Sequence, residues 1–253
     1  MFTIKKESLI TPKGLVRIMT HFARQLEGSK DFYLYIEHMF YSDYFDKLSQ
    51  DDFISIAHNF YMVHTGSVSF FKQYAAKLLV VSSEKGYVNK YDESVSTYNI
   101  LRIMQTFSEV GPTFADIFSQ SEYYLLKRFE QLMIEELICA SVCFGISGQG
   151  SKLLFAMFEK PIMRARELKF ANIKDASIGF IMSSRGSNEM FGFMEPLIIQ
   201  HIDRFSLIEK CYILSNYYMK GLLSKTLQGE LERSIAGRLK NTKEVNTEEI
   251  ACV

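Results

Sequence analysis

A chain of 253 residues with equal numbers of basic and acidic side chains, 29 of each, has no net field to draw it toward nucleic acid or an anionic membrane. Hydrophobic residues make up 47% of it, enough for a substantial core, yet no apolar run reaches the length of a bilayer span, so no integral membrane segment is expected. Only 4 prolines and 14 glycines interrupt the chain, which suits long helices better than a many-turned β fold, and 21 phenylalanines and 12 methionines without a tryptophan point to an adaptable core.

The opening residues MFTIKKES lack the apolar stretch of a secretory signal. Residues 8–26 hold Lys13, Arg17 and Arg24 without an acid, a basic amphipathic character shared by mitochondrial presequences. The same segment carries a buried-type stripe, Leu15, Ile18, Met19 and Phe22, behind a Thr11-Pro12 helix start, and is read as the first helix of the fold. Gly28 then marks a turn, and Phe32, Tyr35, Ile36 and Met39 give a second apolar helix, completing a unit over 10–48.

The next unit, 49–80, repeats this plan. Ser49-x-x-Asp52 reads as a capping box, Phe53, Ile56, Ala57 and Phe60 form the stripe, and after Gly66 come Phe70, Phe71, Tyr74 and Leu78. The polar run 80–96 is expected to be a surface loop. Units follow at 97–130 (Ile100, Ile103, Met104, Phe107, then Gly111-Pro112) and 132–168 (Leu137, Ala140, Ser141, Phe144, then Gly148 or Gly150). Two more lie at 170–203 (Ile173, Ala176, Ser177, Phe180, then Gly186) and 205–240 (Cys211, Leu214, Ser215, Tyr218, then Gly221), the last opening on the capping box Ser206-x-x-Glu209. Pro161 and Pro196 fall inside second helices and should kink or split them. The glycines supply left-handed helix stops, and the small residues Ala57, Ser141, Ser177 and Ser215 should let neighbouring helices come close, while Met19 and Met104 imply looser packing. From 241 to 253 the chain is a polar tail, expected to be poorly ordered, and Cys252, second from last, leaves no CaaX prenylation motif.

The aromatic anchors Phe22, Phe60, Phe107, Phe144, Phe180 and Tyr218 thus recur at intervals of 38, 47, 37, 36 and 38 residues. A period near 37 with an i, i+3, i+4, i+7 stripe in each unit predicts an all-α fold, an α-solenoid of about six helical hairpins occupying 1–240 as one array.

Candidate sites are few. Gly145-Ile-Ser-Gly148-Gln-Gly150-Ser151-Lys152 resembles a phosphate loop with lysine and hydroxyl exchanged, but a stripe-bearing helix precedes it, and it reads as a hairpin turn. Cys139 and Cys143 lie one turn apart without the companions that zinc needs; with four cysteines and no CxxC pair, the chain reads as a reduced intracellular protein. The five histidines form no ligand set, His58 and His64 reading as surface or interface residues, so no metal or cofactor is expected. Lys160, Arg164, Arg166 and Lys169, continued by Arg185, form one basic cluster; Arg233, Arg238, Lys240 and Lys243 form another. These are the candidate RNA or phosphate contacts, with Glu159, Glu167, Glu230 and Glu232 close enough in sequence to give mixed-charge faces instead. Tyr33, Tyr41, Tyr44, Tyr61, Tyr87, Tyr123, Tyr124 and Tyr217 exceed the needs of the stripe and are candidate interface residues.

The unit Phe53-x-x-Ile56-Ala57-x-x-Phe60, then Gly66 and an apolar helix, resembles the helical hairpins of heptatricopeptide and octotricopeptide proteins and the repeats of FAST-kinase-like organellar proteins. The resemblance spans residues 10–240 and implies a mitochondrial or plastid protein engaged in RNA metabolism or built into a mitochondrial ribosome; the RAP domain common in those families is not seen. The expectation is a non-catalytic scaffold, a structural subunit of a mitochondrial assembly, first the ribosome and second a respiratory-chain complex. The alternative is a protein binding single-stranded organellar RNA.

Overall fold

The computed structural model describes residues 11–44, 47–80, 95–109 and 114–240, and among them the fold is all-α, with twelve α-helices and no strand. Each of the six expected spans holds two of them: α1 (Pro12–Gln25) and α2 (Lys30–Met39), α3 (Gln50–Met62) and α4 (Val68–Val80), α5 (Thr97–Ser108) and α6 (Ala115–Lys127), α7 (Ile134–Ser147) and α8 (Lys152–Arg164), α9 (Phe170–Ser183) and α10 (Asn188–Gln200), α11 (Leu207–Met219) and α12 (Lys225–Lys240). A π-helical segment at Phe40–Tyr44 and 3-10 turns at Phe129–Gln131 and Ile202–Arg204 were not anticipated. Most of the 80–96 run, Gly111-Pro112 and the 241–253 tail lie outside the described residues.

The helix starts follow local chemistry. Thr11 accepts a bond from the Gly14 amide at 3.1 Å ahead of Pro12, and Ser206 and Glu209 exchange the two bonds of a capping box. Ser49 caps the Asp52 amide at 3.2 Å, but Asp52 receives the Ser49 hydroxyl, so only half of that box forms.

The turns inside the pairs share a grammar finer than a glycine stop. A left-handed residue ends the first helix, and three positions later a serine caps the second: Leu26 and Ser29, His64 and Ser67, Gly148 and Ser151, Ser184 and Ser187, Gly221 and Ser224. Leu26 (φ 54°), His64 (φ 49°) and Ser184 (φ 54°) hold the stops expected of Gly28, Gly66 and Gly186. Gly186 is not left-handed; a Cβ there would stand 2.8 Å from the Phe191 ring. Pro161 and Pro196 split neither α8 nor α10, which run on to Arg164 and Gln200; each proline lacks only its own amide, so one carbonyl four residues earlier loses its helical partner.

Contacts divide the chain into two compact units, Met1–Gln120 and Ser121–Val253, the division falling inside α6. In the first, α1 packs on α3 and α3 on α5. Phe60 lies beneath Tyr33, Phe40 and Phe70, with centroids 6.3, 6.5 and 4.7 Å away, and Phe107 meets Tyr74 at 5.9 Å and Phe114 at 4.8 Å. In the second, α7 packs on α9 and α9 on α11, while α8 contacts α10 and α10 contacts α12. There Phe155 meets Phe180 at 5.4 Å and Phe191 meets Tyr217 at 5.0 Å. In both units an aromatic of one pair's second helix therefore rests on the next pair's anchor. Each such buried ring contributes about 1.5–3 kcal/mol.

The most extensive helix contact, α7 on α9, is glycine-mediated: a Cβ on Gly179 would lie 2.6 Å from the Ser141 hydroxyl, and one on Gly145 would lie 2.5 Å from the Gly179 carbonyl. Ser141 and Ser177 are buried as the small-residue column requires; Ser215 is not. The sixth stripe is displaced by one residue. Tyr218 is 74% exposed, while Tyr217 is 1% exposed and donates its hydroxyl to the Phe191 carbonyl at 2.9 Å. With Tyr217 as anchor the column reads Lys210, Ile213, Tyr217, all buried. In the first pair Leu15, Met19 and Ala23 carry the burial, Phe22 is half-buried and Ile18 is exposed; Tyr33 and Ile36 of α2 and Phe40 just after it point inward while Tyr35 does not.

Candidate interaction surfaces

The glycine-rich segment 145–152 leaves no cradle for a phosphate. Gly145 is helical against Gly179, Gly148 and Gln149 donate their amides to the Gly145 and Phe144 carbonyls, and the Ser151 amide is taken by the Glu122 carboxylate at 3.0 Å. Gly150 has a φ of 83°, and a Cβ there would strike Phe144 at 2.9 Å. The amides of Gly148, Gln149 and Ser151 are thus bonded within the protein.

Ser151 belongs to a recurrent staple. The Ser67 amide and hydroxyl donate to Glu37, the amide at 3.0 Å; the Ser187 amide donates to Glu159 at 2.6 Å; the Ser224 hydroxyl donates to Glu195. In each case a glutamate on one pair's second helix closes the N-terminus of the next pair's second helix, where free amides and the helix dipole favour a carboxylate. Glu37, Glu159 and Glu195 each lie eight residues after their own helix's serine cap, Ser29, Ser151 and Ser187. A second set of tethers crosses the same turns. Arg185 donates to the Gln149 and Gly148 carbonyls, and Lys220 donates to the Ser184 carbonyl at 3.0 Å with its ammonium 4.9 Å from the Phe191 ring. Arg185 is thus a turn clamp and does not extend the basic cluster.

That cluster is otherwise exposed. Lys160 and Arg164 stand on α8, Arg166 in the loop that follows and Lys169 at the start of α9, and none makes an ion pair among the described residues. Glu159, expected to neutralise them, is buried and turned to Ser187, leaving Glu167 as the exposed acid beside four cations. The second cluster behaves differently. Arg233 is held by both oxygens of Glu230 at 2.7 Å, Lys240 is exposed, and Lys243 lies outside the described residues. Arg238 lines a groove of about 570 Å³ with Asp203, Lys210, Glu230 and Arg233. Lys210 is 1% exposed, and burial, then the nearby Arg238, pulls its ammonium below the usual lysine range against Asp203 and Glu209. The sequence missed it because a register one residue off assigned its column to Cys211.

Of the tyrosines expected at an interface, Tyr33, Tyr44, Tyr124 and Tyr217 are core residues, Tyr41 and Tyr61 are half-buried, Tyr123 is exposed, and Tyr87 lies outside the described residues. Among the described residues the exposed tyrosines are Tyr35, Tyr98, Tyr123, Tyr212 and Tyr218. Cys143 is buried and Cys139 half-buried, and no group of three His, Cys, Asp or Glu side chains able to hold a metal occurs among the described residues. His58 is half-buried, and burial followed by the Arg102 charge pushes its pKa down to about 4. No described helix is long and apolar enough to cross a membrane.

No protein-family model matches the chain, and no curated protein is similar to it.

Proposed function

We propose that the chain is a non-catalytic scaffold, its six helix pairs continuing as one α-solenoid, and that it serves as a structural subunit of a mitochondrial assembly. The ribosome is the first candidate and a respiratory-chain complex the second. The supporting observation is the staple of glutamate to serine-capped helix, seen once in the first compact unit and three times in the second, each time joining a pair to the next, as repeat arrays are held. Five exposed tyrosines supply contact area of the kind protein interfaces use. Native purification of the tagged protein, with mass spectrometry of proteins and RNA together, should recover subunits of one large complex. Recovery of the chain alone, outside mitochondria, would sink the reading.

A single-stranded RNA contact is the second reading, favoured by the inward turn of Glu159, which leaves Lys160, Arg164, Arg166 and Lys169 a more basic surface than the sequence suggests. On this reading Arg164→Ala with Arg166→Ala lowers affinity for an unstructured RNA equally across sequences and flattens its salt dependence by roughly one to two phosphate contacts. An unchanged salt slope removes the RNA reading.

A further inference from the structure

Among the described residues the staple has an open donor on α2 and an open acceptor on α12. Glu232 stands eight residues after Ser224, the position that Glu37, Glu159 and Glu195 occupy on their own helices, and it is exposed, bonded to Gln228 of its own helix. At the other end Ser29 caps α2 through the Phe32 amide, yet among the described residues no carboxylate reaches the Ser29 amide, which Ser67, Ser151 and Ser187 all have engaged.

The helix faces around these two residues match the same pattern. In α7 the positions three before and one after the anchor, Ser141 and Gly145, are covered by Gly179 of α9; in α9 the same positions, Ser177 and Ile181, are buried. In α11 they are Leu214 and Tyr218, and they line an open groove of about 430 Å³ with Leu223 and Ile235, Glu232 at its rim. The opposite face of a first helix is marked by the residue just before the anchor. Asn59 there is buried and donates to Thr20 of α1 at 2.8 Å, and Thr106 and Gly179 are likewise covered. In α1 this position is His21, which is exposed beside the exposed Ile18 and half-buried Phe22.

We propose that the chain associates head to tail with a second copy of itself, the α11–α12 groove and Glu232 of one copy receiving the α1 face and the Ser29 amide of the next. The occupant is singled out by register: the incoming element must offer a first helix with a half-open apolar face and a second helix opening on a serine cap, and α1–α2 offers both with its own staple unfilled among the described residues. Such a contact joins different surfaces of the two copies, so it adds members without closing into a symmetric dimer. It goes beyond the scaffold reading and does not need it, since the staple is seen inside each compact unit separately and the test uses the purified chain alone.

Sedimentation velocity of the full chain across a concentration series is the test, with two blocked variants. Glu232→Arg with Tyr218→Ala closes the tail, and Ile18→Glu closes the head; all three residues are exposed, so both variants should melt like the parent, as circular dichroism checks. The parent should form dimers and longer species as concentration rises. Each blocked variant alone should stay monomeric, and an equal mixture of the two should give dimer and nothing larger. Glu232→Gln, which keeps the shape and loses the charge, should weaken the parent's association by at least about tenfold. A parent that is monomeric throughout, a self-limiting dimer, or blocked variants that still self-associate would each overturn the proposal. A blocked variant that fails to fold leaves the decision to the parent's series and to Glu232→Gln.

Discussion

Tyr217 and Tyr218 are adjacent and chemically identical, and the helix assigns them opposite environments. Replacing Tyr217 by Ala removes a ring packed on Phe191 and a hydroxyl bonded to its carbonyl, and should cost about 3–5 kcal/mol in urea unfolding. Tyr218→Ala should shift the same curve by less than about 0.5 kcal/mol, and equal costs would restore the register read from sequence. His58 makes a second prediction at this scale. Its pKa is about 4 in the fold, so as pH drops below the ordinary value of 6.5 the unfolded chain takes up a proton that the folded chain refuses. The contribution is fully present above 6.5 and is lost progressively down to about 4. Partial exposure holds it to about 1–3 kcal/mol. Denaturation midpoints at neutral and acid pH should therefore fall further for the parent than for His58→Gln; identical falls would show that the imidazole is not shielded.

At the scale of elements, helices were legible because their periodicity is local: the stripes of α3, α5, α7 and α9, the Thr11 start and the Ser206 box stand in the structure where the sequence put them, while that of α11 is one residue off. Which residue stops a helix was less so. Leu26, His64 and Ser184 take a left-handed conformation that their side chains resist, and the glycine two positions on is needed for its own positive φ at Gly28 and Gly66 as well as for packing against a following aromatic ring, which acts alone at Gly186. The close approach of α7 and α9 has a direct test. Gly179→Ala gains helix propensity of about 1 kcal/mol, but its methyl would meet Ser141 atoms under 3 Å away, backbone among them, and the net should be a loss of about 1–3 kcal/mol. The staple has its own: Glu159→Ala leaves the Ser187 amide without its carboxylate and should cost about 1–3 kcal/mol, with Glu159→Gln recovering part of it, both read from thermal midpoints.

For the whole molecule, the proposed array predicts nearest-neighbour coupling, so a core lesson in one unit should be felt as a lowered transition of the entire chain. Calorimetry of Phe144→Ala should show one peak displaced downward; two peaks, with that of residues 1–120 unmoved, would mean that the compact units unfold independently. The candidate surfaces were legible only as composition. Sequence could count Lys160, Arg164, Arg166 and Lys169, yet it could not know that Glu159 turns away from them, nor that Tyr33, Tyr44 and Tyr124 are core. By itself the sequence determined the all-α class, the stripes of α3, α5, α7 and α9 and most helix bounds, because i to i+4 periodicity and capping act within a few residues. Only tertiary structure decided the one-residue register of α11, the burial of Lys210 and the glutamate–serine staples, because each depends on a partner about thirty residues away that no local pattern announces.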